Sequence, residues 1–354
     1  MINVTKTYLP PLEEYNAVLK RAWNKGWITN NGELVLELEE KLKDYLHVND
    51  LTFCGNGTIV LQMALKALGI TEEVITTPFS YVATLNVILW EGCSPVFADI
   101  DPHTLCIDPD KIEAAITENT QAILATHVYG FPCDIEKIQA IADKHHLKVI
   151  YDGAHAFGCN YKGKSLLSYG DISTCSFHAT KVFHTVEGGC IIANNHSVAE
   201  QLVLYRQFGH IYDDYFSMGI NGKNSEFHAA MGLCILPKME EIIERRKAIS
   251  EQYNAALSSV VTCPKIPDEL KYNYSYYPVI FSSEEMLLKA VEHLKKYDIA
   301  GRRYFSPSLN TMPFIEYQDC PVSEDISKRV LCLPLYVDLT SAEVTQITDC
   351  IISL

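Results

Sequence analysis

The sequence holds twelve cysteines but no Cys-x-x-Cys pair, which removes the zinc-ribbon and thioredoxin-like readings and leaves no metal site to expect. No run approaches the ~20 consecutive apolar residues that a bilayer demands. Positive charge is scarce: 29 lysines and arginines against 44 acidic residues give a net charge of −15. A field of that sign repels phosphate backbones and anionic lipid, so neither nucleic acid nor membrane is an expected partner. An anionic ligand would then need a locally positive site or one rich in backbone amides. Neither a Walker phosphate loop nor a Gly-x-Gly-x-x-Gly sequence is present, so ATP-dependent and Rossmann dinucleotide readings lack their carriers. Repeats and low-complexity tracts are also missing. The start, Met1 to Tyr8, lacks the basic start and apolar run of a signal peptide. Cysteines scattered from Cys54 to Cys350, many inside apolar runs such as Cys190-Ile191-Ile192, fit a reduced, cytoplasmic setting.

What is present is a chain of 354 residues, 48% hydrophobic, with room for two domains at ~150 residues each. Leu34, Leu38, Leu42 and Tyr45 recur at helical spacing and predict an amphipathic helix over 34–47. Asn56-Gly57-Thr58 opens a second helical run. Strands are expected at Glu73–Thr77, Pro95–Ile100, Ala122–Val128 and Lys148–Asp152, with helices near 110–117 and 135–146 between the later ones. Such alternation predicts an α/β fold with a mainly parallel sheet covered by helices. From about residue 225 the pattern turns helical, then aromatic-rich at Tyr272–Ile280, then helical again near 283–297 and 341–353. The expected division is a large α/β domain over 1–240 and a smaller C-terminal α+β domain over 241–354.

Ligands of open α/β sheets bind beyond the carboxyl ends of the strands, so polar residues there carry the chemistry. Asp152 ends a strand that reads as buried, where an unpaired carboxylate is costly. Lys181 follows another apolar strand, Cys175-Ser176-Phe177, and a desolvated lysine becomes a nucleophilic amine. Taken alone, each residue favours the plainer reading, a direct Asp152–Lys181 salt bridge or a solvated loop lysine. Asn56-Gly57-Thr58 at a helix start offers free amides, a hydroxyl and the positive end of a dipole, either as an anion site or as a simple helix cap. Tyr81 could stack on a flat ring or sit in the core. An amine, a carboxylate, a phosphate cradle and an aromatic platform together describe a pyridoxal phosphate site.

The same residues resemble the DegT/DnrJ/EryC1/StrS family of sugar aminotransferases, which are pyridoxal-phosphate (PLP) enzymes of fold type I. The resemblance runs through Gly26-Trp27-Ile28-Thr29-Asn30-Asn31-Gly32, Asn56-Gly57-Thr58, Thr77-Pro78-Phe79-Ser80-Tyr81-Val82-Ala83-Thr84 and His127-Val128-Tyr129-Gly130. It continues through Asp152-Gly153-Ala154-His155-Ala156-Phe157-Gly158, Ser176-Phe177-His178-Ala179-Thr180-Lys181, Glu187-Gly188-Gly189, Gly219-Ile220-Asn221 and Arg303-Tyr304-Phe305-Ser306-Pro307. It implies that Lys181 bonds the cofactor and later shuttles protons, and that Asp152 pairs with the pyridine nitrogen. Tyr81 occupies the ring-stacking position, while the Gly57 and Thr58 amides and the Ser176 hydroxyl hold the phosphate. Asn221 matches a residue that reaches the phosphate of the neighbouring subunit, implying a homodimer with shared active sites.

His155 stands where the family usually has glutamine; it is either a contact to the cofactor's ring hydroxyl or a structural histidine. On the substrate side the resemblance points to Thr29, Asn30 and Asn31 in a sugar-side loop, Glu187 and His184 beyond the lysine, and Arg303 with Tyr304 in the segment that meets the nucleotide, of the same subunit or of its partner. Glu187 could instead be a turn residue. Arg206-Gln207-Phe208-Gly209-His210 matches the family's Arg-x-His-Gly pattern only loosely. The implied activity is amino transfer from L-glutamate to a nucleotide-linked keto-deoxysugar, foremost dTDP-4-keto-6-deoxyglucose, yielding dTDP-4-amino-4,6-dideoxyglucose for surface polysaccharide such as O-antigen. Competing readings are a 3-keto-sugar aminotransferase, a PLP-dependent sugar dehydratase, and a non-catalytic nucleotide-sugar sensor. Dehydratases of the family replace the lysine by histidine, whereas Lys181 stands in its place here.

Overall fold

The computed structural model describes residues 1–354. A seven-stranded sheet forms the centre. Its strands are β1 (Thr52–Cys54), β2 (Glu73–Thr76), β3 (Ser94–Phe97), β4 (Thr120–Thr126), β5 (Lys148–Asp152), β6 (Ile172–Ser176) and β7 (Gly189–Ala193). They lie in the order β1-β7-β6-β5-β4-β2-β3, and only β7 runs against its neighbours. The fold is therefore α/β with a mainly parallel sheet, as expected. The antiparallel β7 is the addition: Cys190-Ile191-Ile192 reads in sequence as a buried run, and only its pairing with β1 and β6 makes it a strand.

Both faces of the sheet are covered, because consecutive residues of each strand enter different cores. Ile123 and Ala125 of β4 join one apolar cluster, while Ala122 and Leu124 join the other. A strand buried on both sides reads as a continuous apolar run for this reason. After helix α1 (Leu12–Lys25), helix α2 (Glu33–Leu46) buries Leu34, Val35, Leu38, Leu42 and Leu46 against the first cluster; α3 (Gly57–Ala67) buries Val60, Met63 and Ala64 in the second. Pro95 sits in the edge strand β3, where a missing N–H costs no ladder bond.

Strand β4 stops at Thr126 rather than reaching Val128, because Tyr129 takes a φ of +56° and turns the chain. The C-terminal part has its own core. Ile249, Tyr253 and Leu257 of the long helix Met239–Leu257 pack with a two-stranded sheet of β8 (Tyr277–Ile280) and β9 (Val330–Leu333), and with helices Glu284–Lys296 and Ser341–Ile352. Two segments stitch this core to the rest. Ile2 bridges to Ile299, and Leu309 N–H donates to Pro78 O at 2.8 Å beside the start of α4 (Val82–Trp90). No helix is long and apolar enough to cross a membrane.

Candidate active site

The carboxyl ends of β5 and β6 open on a cleft of about 370 Å³, walled on its far side by residues 302–305. Asp152 closes β5 and is 5% exposed. Its Oδ2 accepts from Thr84 Oγ1 at 2.9 Å and its Oδ1 from Ala154 N–H at 3.1 Å. Thr84 lies in the first turn of α4 and is itself held by Ser80 Oγ at 2.8 Å, which reaches Thr126 Oγ1 at 3.1 Å. A chain of hydroxyls thus fixes the carboxylate. Burial pushes the Asp152 carboxyl above its ordinary pKa, opposed by its two hydrogen bonds and by the charge on Lys181. A cationic group in the cleft would relieve that cost.

Lys181 follows β6 across the cleft. It forms no ion pair with Asp152, so the salt-bridge reading fails; Nζ instead donates to Tyr276 Oη at 3.4 Å. Burial pulls the amine below its usual pKa, with Asp152 pulling the other way. A lysine so desolvated carries more of the neutral, nucleophilic form.

The phosphate cradle is built by close approach. Asn56 caps α3, its side chain accepting from the N–H groups of Thr58 and Ile59 at 3.0 and 2.9 Å. The expectation for Thr58 is corrected here: its amide is already spent on Asn56, so it offers its hydroxyl. The Gly57 amide remains free. A Cβ on Gly57 would lie 2.8 Å from Ser176 Cβ, so glycine is what lets the helix start reach the Ser176 hydroxyl. Tyr81 is 58% exposed and lines the cleft mouth, which removes the core alternative.

His155 is buried in the cleft wall with its ring stacked on Phe305, centroids 5.6 Å apart. Its Nδ1 accepts the Tyr129 amide at 3.2 Å. Burial, reinforced by Lys181, drives its pKa well below the ordinary value. The imidazole is therefore neutral with its proton on Nε2, a donor.

The remaining candidates separate. Glu187 and Tyr304 line the cleft, and Glu187 stands 3.6 Å from His178 Nε2. His184 does not face it: fully buried, it is hydrogen-bonded through Nε2 to Tyr8 O at 2.7 Å and accepts Val186 N–H at Nδ1. Arg303 also points away, bonding Glu284 Oε1 at 3.0 Å and two carbonyls of the helix Pro321–Arg329, while its neighbour Arg302 lines the cleft. Alternation along an extended segment sends adjacent side chains to opposite sides. Arg206 pairs with Glu39 in the interior and bonds Phe53 O at 2.8 Å, which makes it structural. Thr29, Asn30, Asn31 and Asn221 lie outside the cleft. They gather in a second patch, where Asn31 donates to Gln207 at 3.2 Å and Gln207 bridges Asn221.

Ser80, Thr84, Tyr276, Arg302 and His178 are site residues that sequence reading did not assign. Thr84 lies within a quoted motif, so its spacing from Tyr81 on one helix start was a usable signal. Tyr276 is 95 residues from Lys181 and had none.

A free amine, a buried carboxylate seeking a cation, a helix start pressed on a serine and an aromatic rim fit the amine-reactive aldehyde, ring nitrogen and phosphate of pyridoxal phosphate. With this sheet they define a PLP-dependent transferase of fold type I. The family model of the DegT/DnrJ/EryC1/StrS aminotransferases matches residues 12–352. A dTDP-4-amino-4,6-dideoxy-D-glucose transaminase of Shigella dysenteriae is 42% identical over 349 residues, covering 96% of this chain and 95% of that protein. A GDP-perosamine synthase of Escherichia coli O157:H7 is 34% identical, covering 92% and 91%. Among solved structures, DesI in the presence of its TDP-sugar product superposes with a TM-score of 0.93 at 31% identity, covering 98% of this chain and 91% of that one. The chain belongs to the DegT/DnrJ/EryC1/StrS family of aminotransferases and is a PLP-dependent transaminase.

Proposed function

We propose that the enzyme moves an amino group from L-glutamate to C4 of dTDP-4-keto-6-deoxyglucose, releasing 2-oxoglutarate and dTDP-4-amino-4,6-dideoxyglucose. The observation that carries the transaminase chemistry is the desolvated Lys181 amine facing the Asp152 carboxylate across one cleft. The choice of sugar follows the relatives from Shigella dysenteriae and Escherichia coli, at 42% and 41% identity.

Lys181 would hold the coenzyme through its amine and, when free, would move the proton at the donor's Cα. Asp152, fixed by Thr84 and the Ala154 amide, would keep a proton on the coenzyme's pyridine nitrogen. Gly57 N–H and the Thr58 and Ser176 hydroxyls would hold the coenzyme's phosphate, Tyr81 would stack on its ring, and His155 Nε2–H would be available as a donor to the ring oxygen. Bound there, the coenzyme supplies an electron sink for the carbanion at the donor's Cα. Glu187 and Tyr304 face the sugar. Arg302, its guanidinium over the Tyr304 ring at 5.2 Å and paired with no carboxylate, serves an anionic substrate group.

The acting species is a homodimer in the cytoplasm, its product destined for surface polysaccharide such as O-antigen. In support, Asn221 and Asn31 cluster away from the cleft, flanked by the exposed apolar side chains of Trp27, Phe216 and Met218. The patch then completes the partner's site. We place the working division near residue 240, with residues 1–240 holding the cofactor and 241–354 closing on it. Purified protein loaded with pyridoxal phosphate and given glutamate and dTDP-4-keto-6-deoxyglucose should yield the 4-amino sugar by NMR. An amine at C3, or no product, overturns the substrate assignment. Failure of glutamate to convert the cofactor's absorbance overturns the donor.

A further inference from the structure

The Lys181 amine has one hydrogen-bond partner in the structure, Tyr276 Oη at 3.4 Å, and that hydroxyl bonds nothing else. Tyr276 comes from the segment leading into β8, 95 residues along the chain from Lys181, and packs against the same apolar cluster as Phe177 and Val182 beside the lysine. The backbone just before Tyr276 is pinned. Arg246 donates to Tyr274 O at 2.8 Å and to Ser275 O at 2.7 Å, and Ser275 Oγ donates to Tyr129 O at 2.8 Å. Asn273 Nδ2 holds His155 O and Phe157 O, each at 2.8 Å. The Tyr276 ring stands edge-on to His155 at 5.0 Å and to Tyr304 at 5.5 Å between centroids. A phenylalanine ring would fill the same cage. The hydroxyl adds nothing to it except the contact with the amine.

We propose that Tyr276 is the positioning residue for Lys181, its hydroxyl holding Nζ at the reactive side of the cleft whenever the lysine is not bonded to the cofactor. The proposal rests on the transaminase reading above, in which Lys181 must be released and recaptured in every turnover. A lysine released from a covalent bond swings on a flexible four-carbon stem. A phenol can accept from the charged amine and donate to the neutral one, so the contact survives the proton's arrival and departure. Burial keeps this phenol protonated, holding its pKa above the ordinary value. Small displacements of a reacting group are expensive in rate, which is what the hydroxyl prevents.

The test uses cofactor-stripped full-length protein mixed with pyridoxal phosphate, following covalent capture by Lys181 spectroscopically. Tyr276→Phe should slow capture about 10-fold while the final extent and the melting temperature stay at wild type. Tyr274→Phe, on the same segment but facing away from the cleft, should track wild type. In the loaded enzyme, Tyr276→Phe should also raise the primary isotope effect seen with α-deuterated glutamate, since proton transfer then limits the half-reaction. Capture within about twofold of wild type overturns the proposal, as does slow capture with an unchanged isotope effect. If unsubstituted protein captures the coenzyme but glutamate leaves it unchanged, the transaminase reading fails, and the capture comparison alone still decides the role of Tyr276.

Discussion

Asp152 bears a charge that its surroundings tolerate poorly, and the chain of hydroxyls through Thr84 and Ser80 orients it without neutralising it. Asp152→Asn keeps the shape but cannot hold the pyridine proton. Its kcat should fall about 10²- to 10³-fold with the cofactor still bound, measured by single-turnover conversion with glutamate. His127 shows the opposite use of burial. Its Nδ1 accepts Cys133 N–H at 3.2 Å, its ring stacks on Tyr151, and burial pushes its pKa from 6.5 down to about 3. Below pH 6.5 the unfolded chain takes up a proton that the folded one refuses, so stability drains as pH falls towards 3. His127→Asn does not titrate. Stability curves from urea titrations should lose on the order of 4 kcal/mol of that acid decline. Asp152, Lys181, Gly57, Tyr81 and Ser176 were legible because each sits where a strand or helix end meets the cleft. That Arg303 and His184 turn away from their own chain's cleft was not legible, because a sequence gives position along the chain and not the direction of a side chain.

The elements owe their ends to contacts from far along the chain as well as to local signals. Helix α3 starts where Asn56 caps it, which the sequence displays. Helix α2 has only Gly32 before it and no side-chain cap of its own. Its first amides are satisfied instead by Glu226, whose two carboxylate oxygens accept from Leu34 and Val35 N–H at 2.8 and 2.9 Å. Glu226→Gln puts an amide donor against one of those N–H groups. It should cost about 2 kcal/mol in urea denaturation with the m-value unchanged. Nothing in residues 33–46 announces this, because the acceptor arrives from a different helix, Glu226–Ile235.

At the scale of the whole molecule, each chain carries one cleft with Lys181 and one remote patch with Asn221, and the proposed two-fold dimer would join cleft to patch. Lys181→Ala and Asn221→Ala chains should each be weakly active alone. Equal mixing after dissociation should restore about one quarter of wild-type activity, since half the dimers are hybrids with one intact site. No recovery would place Asn221 within its own chain's site. Within one chain the site is likewise assembled from distant segments: the amine follows β6 and the hydroxyl that meets it precedes β8.

By itself the sequence determined the α/β alternation, the lysine and carboxylate at neighbouring strand ends, and the glycine that admits a phosphate, because these depend on periodicity and on local backbone chemistry. Tertiary structure alone decided that Thr58 spends its amide on Asn56, that Arg302 rather than Arg303 faces the cleft, that His184 is interior, and that Tyr276 meets Lys181. Those outcomes turn on which way a side chain points and which distant segment folds against it. Such facts arise when an apolar core closes and fixes rotamers, and no local pattern encodes them.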